Sequence, residues 1–138
     1  MSSLPPYNPA PGRRLVWLLN RDGVAHALLA CGPELESAAT GWVDDEARRD
    51  DLAAQVSGAA WRLLPADAAE LEGVAREIRG AAGSSIAVAA EAILHPLLCV
   101  LLDLPADRAR FRFIPGKVTT AQLLDDRAVI RHLNQGAI

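Results

Sequence analysis

The chain has 138 residues, 51% of them hydrophobic, with a formal net charge of −3. That length favours one domain, and that apolar fraction suffices for a real core, so a disordered chain is excluded. Lys117 is the only lysine and the arginines are scattered, so no nucleic-acid partner is predicted; no apolar run reaches the roughly 20 residues of a spanning helix, so no membrane partner is predicted either.

Residues 1–12 carry four prolines and read as an extended arm, which leaves residues 13–138 as a single compact domain. The continuous apolar run at 15–19 (LVWLL) predicts a central strand covered on both faces. Asn20-Arg21-Asp22-Gly23 reads as a turn. Val24, Leu28 and Cys31 follow at helical spacing, and Gly32-Pro33 stops that helix. Residues 34–45, of mixed polarity, predict mostly loop. Residues 46–64 predict one helix, with Leu52, Val56, Ala59 or Ala60, and Leu63 on its apolar face. Asp44, Asp45 and Glu46 make its acidic start, and Pro65 ends it. Asp67 and Glu70 resemble a capping box before a helix bearing Leu71, Val74, Ala75 and Ile78 on one face. Residues 86–90 (IAVAA) predict a second buried strand. A helix is expected over 93–102, where Pro96 is tolerable only in the first turn. Alternation at 110–114 predicts a strand, and residues 117–124 and 128–133 predict a closing hairpin around Asp125-Asp126. The fold class is therefore α/β: a three-layer α/β/α domain with a mostly parallel central sheet and a C-terminal antiparallel hairpin.

Cys31 and Cys99 each lie in an apolar stretch and read as reduced, buried thiols. The first residues lack a basic segment followed by an apolar one, so a cytoplasmic location is expected. No His, Cys, Asp or Glu spacing resembles a zinc site, and Gly80-Ala81-Ala82-Gly83 lacks the lysine and hydroxyl of a phosphate loop; neither a metal nor another cofactor is predicted. Parallel sheets bind ligands beyond the carboxyl ends of their strands. The residues that follow the two central strands are thus the candidate site: Asp22, Glu91 and His26 as acid–base groups, and Asn20, Arg21, Gly23 and His95 as ligand contacts. Each also has a structural role open to it. Asp22 is a good turn residue, Glu91 suits a helix N-terminus, and His26 lies on the helix face opposite Val24, Leu28 and Cys31.

Several features recur together in the C-terminal third. They are Leu97-Leu98-Cys99-Val100-Leu101-Leu102-Asp103-Leu104-Pro105, then Pro115-Gly116-Lys117-Val118-Thr119-Thr120, then Arg127-Ala128-Val129-Ile130-Arg131-His132-Leu133-Asn134. In this order they resemble the closing segment of the histidine phosphatase (phosphoglycerate-mutase-like) superfamily. A second, shorter likeness lies at the end of the first strand, where the family has Arg-His-Gly and this chain has Arg21-Asp22-Gly23. Gly41-Trp42 is a fainter echo of another family segment.

The resemblance implies a phosphate-handling pocket whose chemistry has been lost. The position of the family's phosphate-accepting histidine holds Asp22, and that of its second catalytic histidine falls at Ala90, beside Glu91. The family's second phosphate-binding arginine and its acid have no clear counterpart in the sequence. A carboxylate at Asp22 repels a phosphate dianion, and no imidazole nucleophile replaces the lost one. The expected function is a catalytically degenerate domain binding a small-molecule ligand or a protein partner, as a homodimer that buries apolar surface. The alternative is a repurposed isomerase, cyclase or lyase using Asp22, Glu91 or His26. A third reading is a regulator that recognises phosphorylated ligands through Arg21.

Overall fold

The apolar run after Arg14 alternates between two cores. Val16 and Leu18 point to one face of the sheet, and Leu15, Trp17 and Leu19 to the other; all five are buried. A strand covered on both sides has no polar face, so its sequence loses the usual alternation. The structure, a computed structural model, describes residues 14–107, 110–125 and 127–136. The proline-rich segment 1–12 lies outside them.

The elements run β1 (Arg14–Asn20), α1 (Val24–Cys31), a 3-10 turn (Pro33–Ser37), β2 (Ala38–Val43), α2 (Glu46–Gln55), β3 (Ala60–Leu63), α3 (Ala68–Gly80), β4 (Ser84–Ala89), α4 (Glu91–Leu102), β5 (Val118–Leu123) and β6 (Ala128–Gln135). One six-stranded sheet has the order β3-β2-β4-β1-β5-β6. The pairs β2–β3, β2–β4 and β1–β4 are parallel, while β1–β5 and β5–β6 are antiparallel. The predicted α/β class, the mostly parallel sheet and the closing hairpin are all present. Leu71, Val74, Ala75 and Ile78 of α3, with Leu94, Leu97, Leu98 and Leu101 of α4, cover one face. Ala27 of α1 and Leu52 of α2 cover the other.

Four local expectations are corrected. The single helix over 46–64 is two elements. Helix α2 ends at Gln55, and Ser57-Gly58 turns the chain into the edge strand β3. Gly and Ser propagate a helix poorly, and that pair outweighed the apolar spacing. The expected loop at 34–45 contains β2. Gly41 hid that strand, because glycine argues against one, yet here it is required: a Cβ on Gly41 would stand 2.4 Å from the Trp61 ring, its partner across β2–β3.

Helix α4 begins at Glu91 rather than near Ile93, so Pro96 lies inside it, past the first turn. Proline lacks the N–H that the Ala92 carbonyl would accept, and Ala92 is exposed, where water takes that place. Finally, residues 110–114 form no strand. Their alternation is genuine, with Phe113 buried and Arg112 and Ile114 exposed, but side chains rather than a neighbouring strand satisfy their backbone.

Candidate functional site

The carboxyl ends of β1, β2 and β4 meet at a tight polar junction. Arg21 N donates to the Ala89 carbonyl (2.9 Å) and Asp44 N to the Val88 carbonyl (3.2 Å), which extends the sheet by one residue on either side of β4. The Asp44 side chain, only 3% exposed, turns inward. Its Oδ2 accepts from Ala90 N at 2.9 Å and from Arg21 at 3.3 Å, while its Oδ1 is buried with no hydrogen-bond partner among the described residues. Arg48 reaches back from α2 to donate to the Arg21 carbonyl at 3.0 Å. Two guanidinium groups and one buried carboxylate therefore gather where the sheet ends.

Asp44 and Arg48 are the residues that sequence reasoning missed. The sequence assigns Asp44, Asp45 and Glu46 together to the start of α2. The structure divides them: Asp45 is the N-cap, accepting from Ala47 N at 3.0 Å, and Asp44 belongs to the strand end. An acid one residue ahead of a capping Asp, directly after a strand, was the available signal. Arg48, on the first turns of the same helix, had no sequence mark.

The predicted residues fall into two groups. Asn20 ends β1, Arg21, Asp22 and Gly23 form the β1–α1 connection, and His26 lies on α1. Gly23 adopts φ +71°, and a Cβ there would approach Gly116 N to 2.7 Å, so the connection packs directly on the Pro115–Gly116 turn. Such an approach admits only glycine. Asp22 and His26 are both exposed; a Cβ added to Gly116 would meet the His26 Cβ at 3.6 Å.

The second group binds the irregular segment 110–114. Glu91 Oε2 accepts from Phe113 N at 2.7 Å, and both Glu91 oxygens accept from Arg112 Nε at 3.2 Å. His95 Nδ1 accepts from Phe111 N at 3.3 Å, and its ring lies 5.9 Å from that of Phe111; His95 Nε2 is 3.0 Å from the Ala106 carbonyl. Asn20, 8% exposed, donates to the Phe113 carbonyl (2.8 Å) and accepts from Asp22 N (2.9 Å). Asn134, outside the predicted set, accepts from Ile114 N (3.0 Å) and donates to the Arg112 carbonyl (2.9 Å). Four side chains thus take the place of a sheet ladder for this partly exposed segment. Glu91, Ala92, His95, Arg110, Phe111 and Arg112 also line a cleft of about 260 Å³.

These contacts set the acid–base character of Glu91. The Phe113 N–H holds its carboxyl below the ordinary glutamate value of 4.5; desolvation opposes this, and Arg112 and then His95 add to the lowering. A depressed folded-state pKa stabilises the fold above the unfolded value, and that stability is lost as pH falls through the folded one. We predict that Glu91→Gln melts lower than the parent at neutral pH and that the gap narrows on acidification below pH 4.5. Melting curves across that range check this; a gap constant with pH contradicts it.

Burial pushes the Cys31 thiol up to about 12, and burial raises Cys99 as well. Both shifts disfavour the reactive thiolate, although Cys31 is only partly buried. Among the described residues, no group of three or more His, Cys, Asp or Glu could hold a metal ion. None of the helices described is long and apolar enough to cross a membrane.

No family model and no curated protein matches the sequence. Solved structures do. A proposed alpha-ribazole-5'-P phosphatase from Escherichia coli K-12 superposes with a TM-score of 0.67 at 14% identity, covering 91% of this chain and 98% of its own. Phosphoglycerate mutase from Plasmodium falciparum gives a TM-score of 0.61 at 11% identity, covering 91% and 94%. These likenesses show a shared fold, phosphoglycerate-mutase-like. The C-terminal part of the chain runs β4, α4, β5 and β6, without the strand expected at 110–114. Asp22 follows β1 and Ala90 follows β4, the neighbouring parallel strand.

Proposed function

We propose that this chain is a catalytically degenerate histidine-phosphatase-like domain, which binds a small ligand or a protein partner instead of hydrolysing phosphate esters. The observation that carries this reading is the pairing of Arg21 with buried Asp44, whose same oxygen accepts from Ala90 N. The guanidinium and the strand-end amide, groups suited to a phosphoryl oxygen, already hold an internal carboxylate. Beside them Asp22 is exposed and acidic, and a phosphate dianion meets repulsion there. Steady-state turnover of a generic phosphomonoester tests the reading, and none above the buffer rate is expected.

The acid–base alternative draws on Asp22, just before α1, and His26, on it, both exposed. Glu91 supports it poorly, since a carboxylate with a depressed pKa is a weak base at neutral pH. A homodimer in the cytoplasm remains part of the proposal. Leu29 on α1 is 74% exposed and Leu133 on β6 is 50% exposed, which leaves apolar surface to bury. Light scattering is expected to give twice the chain mass, and a monomer mass at tens of micromolar removes that part.

A further inference from the structure

The cleft between α4 and the segment 110–112 carries a charge that its own walls do not balance. Glu91, Ala92 and His95 of α4 line it together with Arg110, Phe111 and Arg112, around about 260 Å³. That is just below the roughly 300–1,000 Å³ of sites for drug-sized molecules, so the space suits one small ring. Its walls are open to solvent. The Arg112 and Glu91 side chains are 78% and 38% exposed, Arg110 is exposed, and His95 and Phe111 are half-buried.

Most polar atoms of these walls are already engaged. Both Glu91 oxygens accept from Arg112 Nε at 3.2 Å, and Oε2 accepts from Phe113 N at 2.7 Å. Both ring nitrogens of His95 are engaged too, by Phe111 N at 3.3 Å and by the Ala106 carbonyl at 3.0 Å. Arg112 differs. Glu91 holds it by Nε, so the far end of the guanidinium, Nη1 and Nη2, has no partner among the described residues. A guanidinium tied at Nε is oriented, and its two-nitrogen end is a planar fork that matches a carboxylate. Arg110 forms no ion pair among the described residues. One carboxylate thus stands against two guanidinium groups, and a ligand with a single negative charge complements the cleft.

The rest of the wall sets the body of that ligand. The His95 and Phe111 rings lie 5.9 Å apart, tilted by 50°, with the Ala92 methyl on the same cleft. Aromatic walls favour stacking or edge contact with a further ring.

We propose that this cleft binds a small aromatic carboxylate. Its oxygens accept from Nη1 and Nη2 of Arg112, Arg110 supplies the second positive charge, and its ring packs on Phe111 and His95. The inference rests on the reading of the chain as a binder of a small ligand and gives that ligand a chemical class.

Benzoate is the probe. It is followed through the Phe111 and Arg112 backbone amide resonances and the Arg112 Nε–H resonance of the intact protein, at constant ionic strength so that screening does not change. Benzoate is expected to shift all three saturably, with half-saturation at or below about 10 mM. Benzamide keeps the ring without the charge, and acetate keeps the carboxylate without the ring; each is expected to bind at least about fivefold more weakly. Arg112→Lys keeps the charge and loses the fork, and is expected to weaken benzoate by about the same factor. Resonances unmoved by benzoate up to about 50 mM overturn the proposal. So does equal binding of benzamide or acetate, or undiminished binding of benzoate to the Arg112→Lys protein. Phosphomonoester turnover on the same sample separates two failures: no turnover and no benzoate shift removes this inference alone, whereas turnover removes the reading beneath it.

Discussion

Replacing Gly23 with alanine is expected to lower the melting temperature by about 7–17 °C, from a loss of about 2–5 kcal/mol in a chain of this size. Two costs add. Gly23 has φ +71°, where an L-residue is strained by about 1–2 kcal/mol. Its new Cβ would also stand 2.7 Å from Gly116 N and 3.2 Å from the Pro115 carbonyl carbon. Both obstacles are backbone, so relief means parting the β1–α1 connection from the Pro115–Gly116 turn, and overpacking of this kind costs about 1–3 kcal/mol. Gly116→Ala is the control. Gly116 also has positive φ, +82°, but its Cβ would meet only the His26 Cβ at an ordinary 3.6 Å. The control should lose about half as much or less, since it bears the dihedral cost alone. Calorimetric melts of the two variants decide the matter, and equal losses contradict the packing argument.

Asp44→Ala is expected to destabilise the domain by about 2–3 kcal/mol, mainly by leaving the Ala90 N–H unsatisfied at a partly buried strand end. The Arg21 pair adds little, because Arg21 is 41% exposed and water screens it. Asp44→Asn separates the terms. Its amide oxygen still accepts from Ala90 N and its amine replaces the unpartnered Oδ1, so a loss of about 1 kcal/mol or less is expected. Denaturant unfolding of both variants measures the difference. An alanine variant as stable as the parent contradicts a structural role for this carboxylate.

These two residues also show what sequence could and could not convey. Gly23 was legible as part of Arg-Asp-Gly after a strand, because a turn there demands positive φ. Its second constraint, the approach of Gly116, joins residues 93 positions apart and leaves no local mark. The central strands β1 and β4 were legible because burial on two faces writes an unbroken apolar run. The strands β2 and β3 were not. The first contains Gly41, which is explained only by the Trp61 ring above it, and the second lies at the sheet edge with three of its four residues exposed.

The candidate site was half legible. The rule that ligands bind beyond parallel strands selected Asn20, Arg21, Asp22 and Glu91 correctly as strand-end residues. It gave no view of Asp44, whose direction depends on where α2 begins. It also missed that Glu91, His95 and Asn20 converge on the backbone of 110–114. There the alternation RFRFI announced an extended segment, but not that side chains would take the place of a partner strand.

We propose that the strand ends carry out no phosphoryl chemistry. The most direct measurement incubates the purified protein with a radiolabelled phosphoryl donor, quenches it, and counts label on the chain while turnover of a phosphomonoester is followed in parallel. The account predicts no label and no turnover above buffer, because Asp22 and Ala90 stand at the two strand ends and Arg21 is held by Asp44. Label on Asp22 or His26, or turnover that Asp22→Asn abolishes, would contradict it.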